Sequence, residues 1–267
     1  MNLSRIGAIV LRQVYLMRGS PQRVLPLFAW VAIDIVLWGY ITRYLNGVSG
    51  AHLNFVPALL GAVLMWDFLT RVMQGVTMAF FEDVWSRSFL NIFASPITTS
   101  EYVAGLVLTG VCTSLLGLLT MIVLASAAFG LSFLSYGPAL VPALLILFVT
   151  GIALGIVGVS IVLRLGPAAE WLIWPIPTLV SPFAGVFYPI AVLPGWMRMI
   201  AHALPPSYVF EALRAIVAGK PTPWSSLGMG AGLSLAYLAL AAAVFAAVYR
   251  YAMRTGLIAR YTAETVS

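Results

Sequence analysis

The chain has 267 residues, 62% of them hydrophobic and only 8% charged, where an ordinary soluble domain carries about 25% charged residues. One soluble fold of this length cannot hide so much apolar surface, whereas a bilayer favours an apolar exterior, so the composition reads as a polytopic membrane protein. A single cysteine, Cys112, excludes a disulfide scaffold, and a net charge of +6 spread along the chain argues against a nucleic-acid partner.

Residues 3–18 come first. At 100° per residue Leu3, Ile6, Val10, Val14 and Met17 form a stripe about 80° wide, with Arg5 and Arg12 off it. The segment is too short and too charged to span, and an amphipathic helix on the cytoplasmic membrane surface is expected. No small-residue cleavage site follows, so no removed signal peptide is expected.

Six stretches are long and apolar enough to cross a hydrocarbon core about 30 Å thick. They run over about 24–42, 55–80, 102–129, 139–163, 171–190 and 227–249. The runs are continuously apolar, unlike the short alternating segments of a β-barrel. Nine arginines fall on the N-terminal side of the membrane against four basic residues on the other, which places both termini inside.

Residues 81–95 join spans two and three. Phe81, Trp85, Phe89 and Ile92 recur at helical spacing, with Glu82, Asp83, Ser86 and Arg87 on the other side. Asp83 and Arg87 form an i, i+4 pair in the favourable order. Pro96 ends this helix, and Ser100 with Glu101 opens the next. Its rings and mixed charges suit docking to a soluble partner.

Span five is interrupted by Pro175, Pro177 and Pro182, and two short helices are expected after it, within about 191–219. Pro194 suits the first turn of one, and Pro205-Pro206 ends it. Ser207 is a candidate cap for the second, which runs to Val217 and stops at Gly219. Neither can cross a bilayer, and together they read as an outer hairpin dipping into the membrane and packed on the bundle.

Within the spans, Asp34, Asp67 and Arg71 stand out, because an acid at mid-bilayer costs roughly 2.5–3.5 kcal/mol and must face protein or water. Asp67 and Arg71 can pair on one helix face. They read either as a polar lining for cargo or as an ion network holding spans one and two together. Trp30, Trp38, Trp66, Trp171 and Trp174 suit a sugar-stacking conduit or an interface belt, and Gly151-x-x-x-Gly155 permits close helix packing.

Enzyme chemistry has little support. Gly219-Lys220 is followed by Pro221, so no phosphate-binding loop is formed. His52 and His202 make no metal site with one cysteine, and no Gly-x-Ser-x-Gly elbow occurs. No ladder of ionisable residues runs through the spans, as an ion-coupled secondary transporter would need. Such a transporter and a non-transporting scaffold are the competing readings.

The order of interfacial helix, two spans, cytoplasmic amphipathic helix, three spans, outer hairpin and last span resembles the permease subunit of type-2 ABC exporters, which include polysaccharide, lipooligosaccharide and drug export permeases. Two stretches carry the likeness. Phe81–Glu101, ending Ala-Ser-Pro-Ile-Thr-Thr-Ser-Glu, is similar to the family's coupling-helix region. Phe187-Tyr-Pro-Ile-Ala-Val-Leu-Pro-Gly-Trp-Met with Leu204-Pro-Pro-Ser-Tyr-Val-Phe-Glu-Ala-Leu-Arg214 is similar to its outer gate hairpin. The resemblance implies an all-α, single transmembrane domain over 1–267 in a bacterial cytoplasmic membrane, paired with a second copy or a paralogous permease. It implies that cytoplasmic ABC ATPase subunits, which hold the ATP and Mg, dock through Glu82, Asp83, Trp85, Arg87 and Phe89. Tyr188, Pro194, Trp196, Pro205, Pro206, Glu211 and Arg214 would form the outer gate, and an amphipathic or lipid-linked glycan, lipid or drug would move outward. No cofactor is expected in this chain.

Overall fold

The computed structural model describes residues 2–19, 21–48, 56–85 and 97–255. Nine α-helices occur among them: α1 (Leu3–Arg18), α2 (Pro21–Val48), α3 (Gly61–Trp85), α4 (Thr99–Phe129), α5 (Leu140–Leu165), α6 (Pro175–Ala184), α7 (Gly195–Ala203), α8 (Pro205–Val217) and α9 (Trp224–Thr255). Five segments are long and apolar enough to cross a membrane: Phe28–Val48, Pro57–Met78, Ser100–Phe129, Phe133–Leu165 and Trp224–Thr255. Large apolar side chains such as Trp30, Leu119, Val123, Leu235 and Leu240 are exposed on α2, α4 and α9, as an exterior against acyl chains requires.

The core is organised around α3, which packs against both α4 and α5. Glycine makes these approaches close. A Cβ at Gly151 would lie 2.8 Å from the Leu69 carbonyl oxygen, and one at Gly155 would lie 2.8 Å from Val76 Cβ. On the other side, a Cβ at Gly75 would meet the Gly110 Cα at 3.0 Å. The Gly151-x-x-x-Gly155 spacing therefore does what its small residues permit. Outside this core, α9 covers α5, while α1 and α2 lie on α4.

Local chemistry sets the ends of α4. The Thr98 hydroxyl accepts from the Glu101 N–H, and the Glu101 carboxylate accepts from the Thr98 N–H, a reciprocal cap that satisfies two otherwise orphaned donors. At the far end Gly130 takes a left-handed conformation with φ 66°, which costs glycine little.

One expectation is corrected, the cap at Ser207. Residues 171–190 are broken, as their prolines lead one to expect. A 3-10 segment over Pro167–Leu172 is followed by the ten-residue α6, because prolines lack the N–H that a continuous ladder needs. α7 ends at Ala203, just before Pro205, and Pro205 and Pro206 also occupy the first positions of α8, where the missing N–H costs nothing. Ser207 is accordingly not a cap: its hydroxyl donates to the Ala201 and Leu204 carbonyls, the latter at 2.7 Å. On α1 the protein-facing side is distinct from most of the apolar stripe. Ile6, Ile9 and Gln13 are buried, while Leu3 and Val14 are exposed, because α4 offers a glycine seat to Ile9.

Candidate functional site

Asp34, Asp67 and Arg71 lie in one region of the bundle. Asp67 and Arg71 stand one turn apart on α3, and Arg71 Nε donates to Asp67 Oδ2 at 2.7 Å, both side chains being mostly buried. The Arg71 stem passes over Gly117 of α4, where a Cβ would lie 3.3 Å from Arg71 Cδ. Asp34 on α2 is half-buried and close enough to feel the charges of both Asp67 and Arg71. The ion pair thus lies within α3, with its Arg71 stem against Gly117 of α4 and Asp34 of α2 nearby.

Aromatic residues continue from this cluster toward the hairpin end. Trp38, one turn beyond Asp34 on α2, stacks on Phe187 with centroids 5.4 Å apart and planes 20° apart. Trp66 is buried against Phe210 of α8, at 6.1 Å. Trp30, Trp171 and Trp174 are exposed, as interface-belt residues are.

The hairpin caps the bundle at the end where the α4–α5 connection lies. There the Tyr136 hydroxyl donates to the Pro57 carbonyl. A polar clamp fixes the turn that follows α6. Glu211 on α8 accepts the Ile190 N–H at 2.9 Å. Arg214 donates to the Gly185 carbonyl and pairs with Glu211 at 3.2 Å. Gly185 has φ 68°, and a Cβ there would sit 3.3 Å from Arg214 Nη2. Burial pulls the Arg214 guanidinium below its ordinary value, and the Glu211 carboxylate opposes that shift.

The remaining hairpin residues act on the same turn. The Tyr188 hydroxyl donates to Pro182 O at 2.8 Å, and Pro194 O accepts the Arg198 N–H at 2.9 Å. Arg198 Nη2 donates to Ala191 O and Leu193 O. Trp196 meets Phe183 edge-on at 6.3 Å while its ring stays exposed. All seven expected hairpin residues therefore fall in one cap, with Pro205 and Pro206 starting α8.

At the opposite end of the bundle, α3 runs unbroken through Glu82, Asp83 and Trp85, so the start of the expected helix over 81–95 is continuous with the span. Arg87 and Phe89 lie outside the described residues, as does His52. The chain returns at Ile97 and Thr98, where a junction not expected from the sequence appears. Glu101 accepts the Asn2 backbone N–H at 2.7 Å and pairs with Arg5 at 3.4 Å, and Ile9 fills the space where a Gly105 Cβ would lie 2.7 Å from it. The Thr98-x-x-Glu101 spacing signals the cap, but nothing in the sequence ties residue 101 to residue 2.

Among the described residues no three His, Cys, Asp or Glu side chains gather as a metal site. Residues 5–218 match the sequence model of a family described as ABC-2 type transporter. The matched range includes α1 from Arg5 onward, the charge cluster, Glu101 and the whole hairpin. No curated protein matches the chain.

Proposed function

The chain belongs to the ABC-2 type transporter family and is a membrane permease component of an ABC-type transport system, and on that premise we propose that it exports an amphipathic or lipid-linked cargo under the drive of separate ATPase subunits. In this reading both termini lie in the cytoplasm, residues 167–190 complete a sixth, broken crossing, and the hairpin closes the outer mouth. Two permeases, identical or paralogous, enclose the path. The ATPases hold ATP and Mg and dock on residues 81–95, where Trp85 and Phe89 are the anchors and Glu82, Asp83 and Arg87 the charged rim. Buried aromatics inside such a rim carry most of the energy of a docking site.

The observation that carries the proposal is the continuity of α3. Its 25 residues make a rod roughly 37 Å long at 1.5 Å per residue. It begins beneath the hairpin, carries Asp67 and Arg71 and ends in the docking segment. A push on the docking segment therefore reaches the charge cluster directly. The glycine-lined contacts with α4 and α5 hold few long side chains that would resist sliding. Asp34 sits where cargo headgroups would pass, while Asp67 and Arg71 neutralise each other within α3.

The test is to lock the cap. A Met199→Cys substitution in a Cys112→Ser background places a thiol on the exposed face of α7 for cross-linking to the second permease. With the docked ATPase in proteoliposomes, the cross-linked complex is expected to stay assembled and stop exporting a lipid-linked or hydrophobic cargo. Export at the normal rate from the locked complex would reduce the hairpin to a cap on the fold.

A further inference from the structure

We infer that α1 is a docking surface for anionic phospholipid, seated in the leaflet on its side of the bundle and oriented for that task by its attachment to α4. The attachment decides which face is presented. Ile6, Ile9 and Gln13 occupy about 60° of the helix circumference at 100° per residue and are buried. Asn2 and Arg5 are tied to Glu101. What faces away is Leu3, Leu11, Val14 and Tyr15, within an arc of about 120° and 83%, 53%, 51% and 62% exposed. Arg18 lies near the middle of that arc, in the last turn, and is exposed.

An apolar face ending in an arginine and a tyrosine fits the boundary between acyl chains and headgroups, where the stem lies along apolar surface and the charged tip reaches the phosphates. Charge selects the kind of lipid. The first 33 residues contain Arg5, Arg12, Arg18 and Arg23 and no Asp or Glu. Of these arginines Arg5 is paired with Glu101. Arg18 therefore brings a positive charge to the presented face, and an arginine near an anionic surface strengthens attachment about fivefold. Because α1 is bolted to the turn at Thr98–Glu101, immediately after the proposed ATPase docking segment, anionic lipid would also steady that turn. The inference requires only that the chain sits in a membrane and holds whatever its cargo.

The full-length permease is placed in nanodiscs of phosphatidylcholine alone and of phosphatidylcholine with 30% phosphatidylglycerol, about the anionic fraction of a charged leaflet. Hydrogen exchange of residues 3–18 is then followed. Exchange is expected to be about fivefold slower or more in the anionic discs, with the difference shrinking in Arg18→Gln, retained in Arg18→Lys and weakened by high salt. The buried residues of α5, in the bundle core, serve as the folding control and should not change. Equal protection in the two lipids would overturn the inference, as would a difference that survives Arg18→Gln undiminished. A Leu11→Ser variant that leaves protection unchanged in the anionic discs would likewise exclude insertion of this face.

Discussion

Between α3 and α5 the contact depends on side chains that are missing: Gly151 and Gly155 let backbone meet backbone, and an added Cβ would fall at 2.8 Å from its neighbours. At the hairpin end the contact is made by long polar side chains reaching across to carbonyls and amides, with Glu211, Arg214 and Arg198 fastening the turn over residues 185–193. Close apolar packing fails only if the helices separate, and it tolerates sliding along the shared groove. Polar clamps on one turn can release singly. The bundle contact is therefore expected to be lost only globally, whereas the turn over residues 185–193 is expected to open locally.

The comparison can be broken at several points. The largest effect is expected from Gly155→Leu, which forces a branched side chain against Val76 and the Met73 carbonyl. Overpacking of this kind costs about 3 kcal/mol or more, so the variant should aggregate or melt far below wild type in detergent; unchanged melting would show that the α3–α5 contact is loose. Next comes Arg71→Met, which strands Asp67 as a buried charge. Breaking such a pair costs about 3 kcal/mol, and adding Asp67→Leu should recover most of it in a thermal melt. If the stable double variant also exports normally, the pair only holds helices together. Loss of export from it would assign the pair to the cargo path.

A smaller and local effect is expected from Arg214→Gln. Losing its charge-assisted hydrogen bonds costs about 2 kcal/mol, which should speed exchange of amides 186–193 roughly thirtyfold while the melting of the bundle stays put. A fall in the global melting temperature without local exchange would mean that the clamp is part of the core, and the contrast between cap and bundle would collapse.

Much of this was legible in the sequence because the bilayer imposes long apolar runs, and five of the expected crossings appear as helices at nearly the expected places. Gly151 and Gly155 signalled their contact through spacing alone, and Asp67 with Arg71 did so through the helical turn. Two short helices follow span five as expected, and Pro205-Pro206 both stop the first and start the second, so the cap expected at Ser207 lies inside the second helix instead. The protein-facing side of α1 was not legible for a different reason. Periodicity reports which residues are apolar, and Ile9, off the stripe, was drawn inward by Gly105, 96 positions later. Contacts of that kind, like Glu101 with Asn2 or Trp38 with Phe187, arise only once the chain has returned on itself.

The central claim is that residues 81–95 couple this permease to an ATPase, and one measurement addresses it most directly. Trp85→Ala with Phe89→Ala removes both proposed anchors, each worth about 2 kcal/mol or more at a docking site. Binding of the partner ATPase is measured by pull-down in detergent beside a thermal melt of the permease. The account predicts an unchanged melt, ATPase binding weakened at least thirtyfold and hydrolysis uncoupled from export. An unchanged ATPase association, with or without loss of membrane stability, would contradict it and leave the two rings as ordinary interfacial anchors.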